Sequence, residues 1–117
     1  MRSIALALAI FCNACAAECY DPAGSRVELA GKIIDQVQVT YDGTQDKWVF
    51  ETDEEVCVDG IGQVRKFILF SPGEKEMKIG GHYKIYGTAE KLNSDFFDVN
   101  PKGTAKMVLD FLSWEVL

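Results

Sequence analysis

SRVELAGKIIDQVQV, residues 25–39, is the stretch on which the fold turns. Val27, Leu29 and Ile33 share one parity, and Arg26, Glu28 and Lys32 hold the other. An apolar face alternating with a polar one at period two marks a half-buried β-strand. Gly31 stands where the apolar row needs a further side chain. Inside a strand, a glycine marks a bulge or a sharp bend. Asp35 then interrupts the odd-numbered row, which resumes at Val37, Val39 and Tyr41. One long strand that bends and serves two sheets accounts for this pattern.

Toward the C-terminus the elements remain short and punctuated. YDGTQD, residues 41–46, carries the Asp-Gly signal of a hairpin turn. KWVFET, residues 47–52, is a strand rich in aromatic and β-branched residues. EEVCVDG, residues 54–60, is a short strand or its extension, and the glycines at 60 and 62 break the chain. QVRKFILF, residues 63–70, is the next strand. In SPGEKEMKIGG, residues 71–81, Ser71, Pro72 and Glu74 form a capping box, and Gly80 and Gly81 end the element. This predicts a helix of at most about two turns.

HYKIYGTAEK, residues 82–91, is again a strand, with Tyr83, Ile85 and Ala89 on one side and Gly87 at a bend. A polar loop containing Asn93, Ser94, Asn100, Pro101 and Gly103 follows. In the last segment, residues 105–117, Met107, Leu109 and Phe111 alternate as in a strand, while Val108, Leu112 and Val116 also fit a helical spacing. The strand is the preferred reading. The expected fold is therefore all-β with one short helix, a five-stranded OB-like Greek-key barrel of the kind that limits exposed edges and binds ligands on one face.

Toward the N-terminus the chemistry changes. Arg2 precedes an unbroken apolar run over residues 4–11, and Ala14, Ala16 and Ala17 follow. A charged start, a short apolar middle and small residues at the cut make a secretory signal, here residues 1–17. The run falls short of the roughly 20 residues that a spanning helix needs. Alternatives are a buried N-terminal helix and an anchored Cys15, although Cys12 occupies the position where a lipid-attachment site wants an aliphatic residue. Cleavage after Ala16 or Ala17 discards Cys12 and Cys15 and leaves Cys19 and Cys57 in the domain of residues 18–117. In an oxidising compartment two such thiols normally pair. The bridge closes a long loop, worth on the order of 4 kcal/mol by chain entropy. The alternative is two buried free thiols. A periplasmic or secreted location follows.

Charge narrows the partners. With Arg2 gone, the 12 Lys+Arg fall to 11 against 18 Asp+Glu, a net charge of −7. An acidic surface repels phosphate backbones, so nucleic acid is not an expected partner. Cationic proteins are favoured instead. The sequence contains no repeat, no low-complexity tract and no second long apolar run.

CYDPAGSRVELAGKI, FETDEEVCVDG, VRKFILF and HYKIYGTAEK together resemble a family of small periplasmic bacterial domains of unknown function. Cys19, Pro22, Val27, Leu29, Gly31, Ile33, Cys57, Val58, Gly87 and Thr88 carry the resemblance. Glu55 stands where that family usually has proline, and Phe96 and Phe97 stand where it often has histidines. The family occasionally accompanies lysozyme-inhibitor-like modules, so the resemblance implies a binding role in the cell envelope.

Candidate functional residues are few. His82 is the single histidine, and no Gly-x-Ser-x-Gly elbow or spare cysteine accompanies it, so no catalytic residue is assigned and the chain is not read as an enzyme. One histidine and two distant cysteines make no metal cluster, and no cofactor is expected. Asp53, Glu54, Glu55 and Asp59 flank Cys57 without the alternate-residue spacing of a calcium loop. A solvated acidic loop is the plain reading, and a contact patch for a basic partner the functional one. Of the strand aromatics Tyr41, Trp48, Phe50, Tyr83 and Tyr86, Trp48 and Tyr86 oppose the parity of Val49 and Ile85, so one of each pair faces outward. An exposed aromatic stacks on sugars or anchors a protein.

The sequence thus predicts a non-catalytic binding module for an envelope protein or glycan, with Trp48, Tyr86, Glu54, Glu55 and Asp59 as its contacts. The alternative is an inhibitor or immunity-type protein that blocks a cationic hydrolase.

Overall fold

A computed structural model describes residues 19–40, 42–70, 76–93 and 95–117; the side chains of residues 111 and 112 are not described. The signal-like residues 1–17, Tyr41 and the capping-box residues 71–74 lie outside that set.

The chain is all-β. Its strands are β1 (Ala23–Thr40), β2 (Thr44–Val58), β3 (Gly62–Phe70), β4 (His82–Lys91), β5 (Asp98–Asn100) and β6 (Met107–Val116). They form one six-stranded sheet in the order β2-β3-β6-β4-β1-β5, with a further pairing of β2 on β1. Following the hydrogen bonds, β1 leads to β2, β3, β6, β4 and back to β1. All these pairings are antiparallel except β3 with β6, which is parallel.

Two expectations need correction. Among the described residues six strands are present where five were expected, because Val99 in the polar loop pairs with Val39 and draws residues 98–100 onto the end of β1. The expected helix is not seen among the described residues. From Glu76, the first described residue after β3, the chain drops Met77 into the core and turns at Ile79 and Gly80. The ambiguous C-terminal segment is a strand: β6 pairs with β4 from Met107 to Val116, and a two-sided ladder satisfies its backbone polar groups where a helix would break both pairings.

The first strand bends as its glycine indicates. Residues 23–32 pair with β4, and residues 31–40 pair with β2. A Cβ at Gly31 would overlap the Glu51 carbonyl oxygen and crowd the Thr52 Cα, so only glycine lets β2 approach β1 there. The register then slips by one between Ile33 and Asp35. Ile34 is the extra residue, and an insertion of one residue sends every later side chain to the other face.

Two apolar clusters result. Val27, Leu29 and Ile33 join Phe50, Phe67, Leu69, Ile85 and Leu109 in the main one. Past the bulge, Val37 and Val39 join Val49, Ile68 and Val99 in a second. The loop after β4 covers this second cluster with Leu92, Phe97 and Ala105, and Phe97 meets Phe70 edge to face at 5.2 Å. The adjacent residues Val49 and Phe50 are therefore both buried, one in each cluster.

The Cys19–Cys57 disulfide is present, spanning 38 residues with Cα atoms 4.6 Å apart. It ties the segment before β1 to the end of β2, where the Tyr20 amide donates to the Cys57 carbonyl and the Asp59 amide to the Tyr20 carbonyl, each at 2.9 Å. No described helix is long and apolar enough to cross a membrane.

Candidate functional site

The acidic stretch of β2 is a built protrusion. Glu51 faces Lys66 on β3, and the next facing pair is Val56 with Val64. Residues 52–55 therefore oppose Arg65 alone. The surplus chain has nowhere to lie flat, so it arches off the β2–β3 ladder as a large bulge. Such an arch leaves backbone carbonyls without ladder partners, which is costly unless side chains satisfy them.

Two residues do so. Thr52 is 2% exposed and the single buried polar residue among those described. Its hydroxyl donates to the Glu54 carbonyl at 2.7 Å. Arg65 reaches back from β3, donating through Nη2 to the Asp53 carbonyl. The backbone is thus held from below and from the side, while Asp53, Glu54 and Glu55 all project into solvent. On the far side, Asp53 Oδ2 lies 2.7 Å from His82 Nε2, which ties the arch to β4.

The bulge overhangs a groove of about 410 Å³. Its other wall is the outer side of β1 at Glu28 and Ala30, and Tyr20 closes one end. Glu28, Asp53, Glu54 and Glu55 give it four carboxylates. Tyr20 and Glu28 also line an adjoining groove of about 450 Å³, together with Arg26 and Tyr86. The two grooves form one acidic face in which the disulfide-anchored Tyr20 stands between the bulge and Tyr86.

Tyr86 is half-buried beside Glu28 across the β1–β4 pairing, and its hydroxyl donates to Glu115 Oε2 at 3.4 Å. Loss of solvation, and then the nearby Glu115 and Glu28 carboxylates, raise its phenol above the usual 10; Lys84 acts the other way.

The expected contact residues divide. Glu54, Glu55 and Tyr86 come together on this face. Asp59 is exposed next to it, its amide bound to the Tyr20 carbonyl, but lines neither groove. Trp48 belongs elsewhere: it pairs with Gln36 beyond the Ile34 bulge and packs, half-buried, against the main core. Trp48 and Val49 lie on opposite sides of β2. However, Val49 also has an apolar cluster to enter, so opposite parity does not expose Trp48.

Sequence reasoning missed Tyr20, Glu28, Thr52 and Arg65 as parts of the site. One usable signal was present: ETDEE, residues 51–55, is an unbroken run of five polar residues in the middle of β2. A polar run of that length does not fit a flat half-buried ladder.

Among the described residues no group of three or more His, Cys, Asp or Glu side chains is placed to hold a metal ion. No protein-family model, curated protein or solved structure matches this chain.

Proposed function

We propose that this chain is an exported, non-catalytic binding module built as an OB-like Greek-key barrel, and that its acidic bulge receives a cationic segment of a protein in the cell envelope. The circuit of pairings returning to β1, with β3 and β6 parallel, supports the barrel. The Cys19–Cys57 bridge and the signal-like N-terminus support the compartment, periplasmic or secreted.

One observation carries the binding role. A flat strand would spread Asp53, Glu54 and Glu55 over both faces, whereas the arched one, held by Thr52 and Arg65, places all three over one groove. Lysine or arginine side chains entering that groove would make charge-assisted hydrogen bonds with carboxylates presented from a braced backbone. Tyr20 and Tyr86 offer flat, amphipathic surface beside them. An inhibitor or immunity-type protein that blocks a cationic hydrolase is the specific form this reading takes.

The test is capture of binding proteins from an envelope extract, with the wild-type chain and a Glu54→Lys/Glu55→Lys variant. The captured protein should be basic. Its affinity should fall at least about tenfold in the variant and steeply between about 0.05 and 0.5 M salt. Salt-tolerant binding of an envelope glycan, unaffected by the double charge reversal, would replace the protein ligand with a sugar.

A further inference from the structure

A second charged surface lies on the other side of Gln63, which also borders the acidic groove. Three grooves of about 340, 430 and 210 Å³ share Gly103 and Ala105 as a common wall. Lys66 and Lys106 border the first, Lys91 and Lys106 the second, and Lys102 the third. Arg65 adds a fifth cation at the first, against Glu51 there and Asp98 at the third. In a chain of net charge −6, this is a marked local excess of positive charge.

Three features distinguish it from an ordinary solvated face. None of the four lysines makes an ion pair among the described residues. The backbone beneath them is fixed, because the Leu92 amide donates to the Lys106 carbonyl and the Lys91 amide to the Pro22 carbonyl, each at 2.8 Å. Half-buried Ile61, Leu92 and Ala105 lie along the grooves and provide apolar surface between the cations.

We propose that this lysine-rimmed trough binds an extended acidic peptide segment of a partner protein. The carboxylates of the segment face Lys66, Lys91, Lys102 and Lys106, and its aliphatic side chains cover Ile61 and Leu92. Charge complementarity selects an anion. The apolar floor selects among anions: a phosphate or uronate polymer has no aliphatic groups to cover it, whereas a peptide with alternating acidic and aliphatic residues does. Nucleic acid is disfavoured by the net negative charge and by the aliphatic, not aromatic, floor.

The experiment is fluorescence anisotropy of a dye-labelled peptide alternating Glu and Val, titrated with the full chain at low salt. Saturable binding is expected, weakened at least about tenfold for the matching Gln–Val peptide and for a Lys91→Glu/Lys106→Glu variant. A Lys91→Gln/Lys106→Gln variant should show a smaller loss and guards against misfolding in the charge reversal. Glu54→Lys/Glu55→Lys should leave this binding in place, so the result stands apart from that for the acidic bulge. Absence of saturable binding, equal binding of the Gln–Val peptide, or indifference to both lysine variants would overturn the proposal. Tighter binding of a labelled polyuronate than of the Glu–Val peptide would overturn the peptide assignment.

Discussion

Asp53 and His82 meet over Gly31, with Asp53 Oδ2 2.7 Å from His82 Nε2. Gly31 pairs with Thr52 on one side and Tyr83 on the other, so three strands lie abreast at a residue without a side chain. The bridge links β2 to β4 over the strand between them. Both groups are well exposed, at 44% and 37%, so it orients the acidic arch more than it stabilises the fold. The stability of this crossing resides in the close approach at Gly31.

Gly31→Ala should therefore destabilise the protein by about 3 kcal/mol or more, because the added methyl overlaps backbone atoms of Glu51 and Thr52 that cannot rotate away. Urea unfolding monitored by tryptophan fluorescence measures this. A loss below about 1 kcal/mol would mean that β1 and β2 are farther apart than described.

Thr52→Val removes one hydroxyl at nearly constant volume and leaves the Glu54 carbonyl without its donor. The cost should be about 1–2 kcal/mol. The same variant should bind a basic partner more weakly, although Asp53, Glu54 and Glu55 are all retained, and Thr52→Ser should recover part of that affinity. Affinity unchanged in Thr52→Val would show that the carboxylates act as a diffuse charge and not as an ordered set.

The Tyr86 phenol should ionise later than a free tyrosine in an ultraviolet pH titration, and Glu115→Gln should bring it earlier. The fold prefers the protonated phenol, so this contribution to stability is complete below pH about 10 and is lost as pH rises through the folded-state value. Tyr86→Phe should flatten that alkaline limb of the stability curve.

Breaking the Cys19–Cys57 bridge, by reduction or by a Cys19→Ser/Cys57→Ser variant, should cost on the order of 4 kcal/mol. It should also release Tyr20, whose amide and carbonyl bonds lie beside the bridge. Protection of the Tyr20 and Asp59 amides from hydrogen exchange should fall before that of the β1–β4 ladder. Simultaneous loss of protection would mean that the bridge supports the whole domain.

Much of this architecture was legible in the chain because it depends on local pattern. Val27, Leu29 and Ile33 marked the first strand, Gly31 its bend, and Asp42–Gly43 its hairpin, where both residues take positive φ. The site was less legible. Glu54, Glu55 and Tyr86 were named, but on the grounds of charge and parity, neither of which reveals a neighbour. Trp48 lies off the acidic face, half-buried against the main core, which parity does not reveal, because alternation identifies two faces without telling which of them is covered.

Composition and alternation by themselves determined an all-β chain with a signal-like start and a cysteine pair suited to an oxidising compartment, since strand period and turn chemistry are properties of neighbouring residues. Only the tertiary structure decided where the faces point. The unpaired residue Ile34 sends Val37 and Val39 to a second cluster, and residues 52–55 arch because β3 supplies Arg65 alone opposite them. A bulge is the difference in length between two paired segments, and neither segment carries that difference until the other lies beside it.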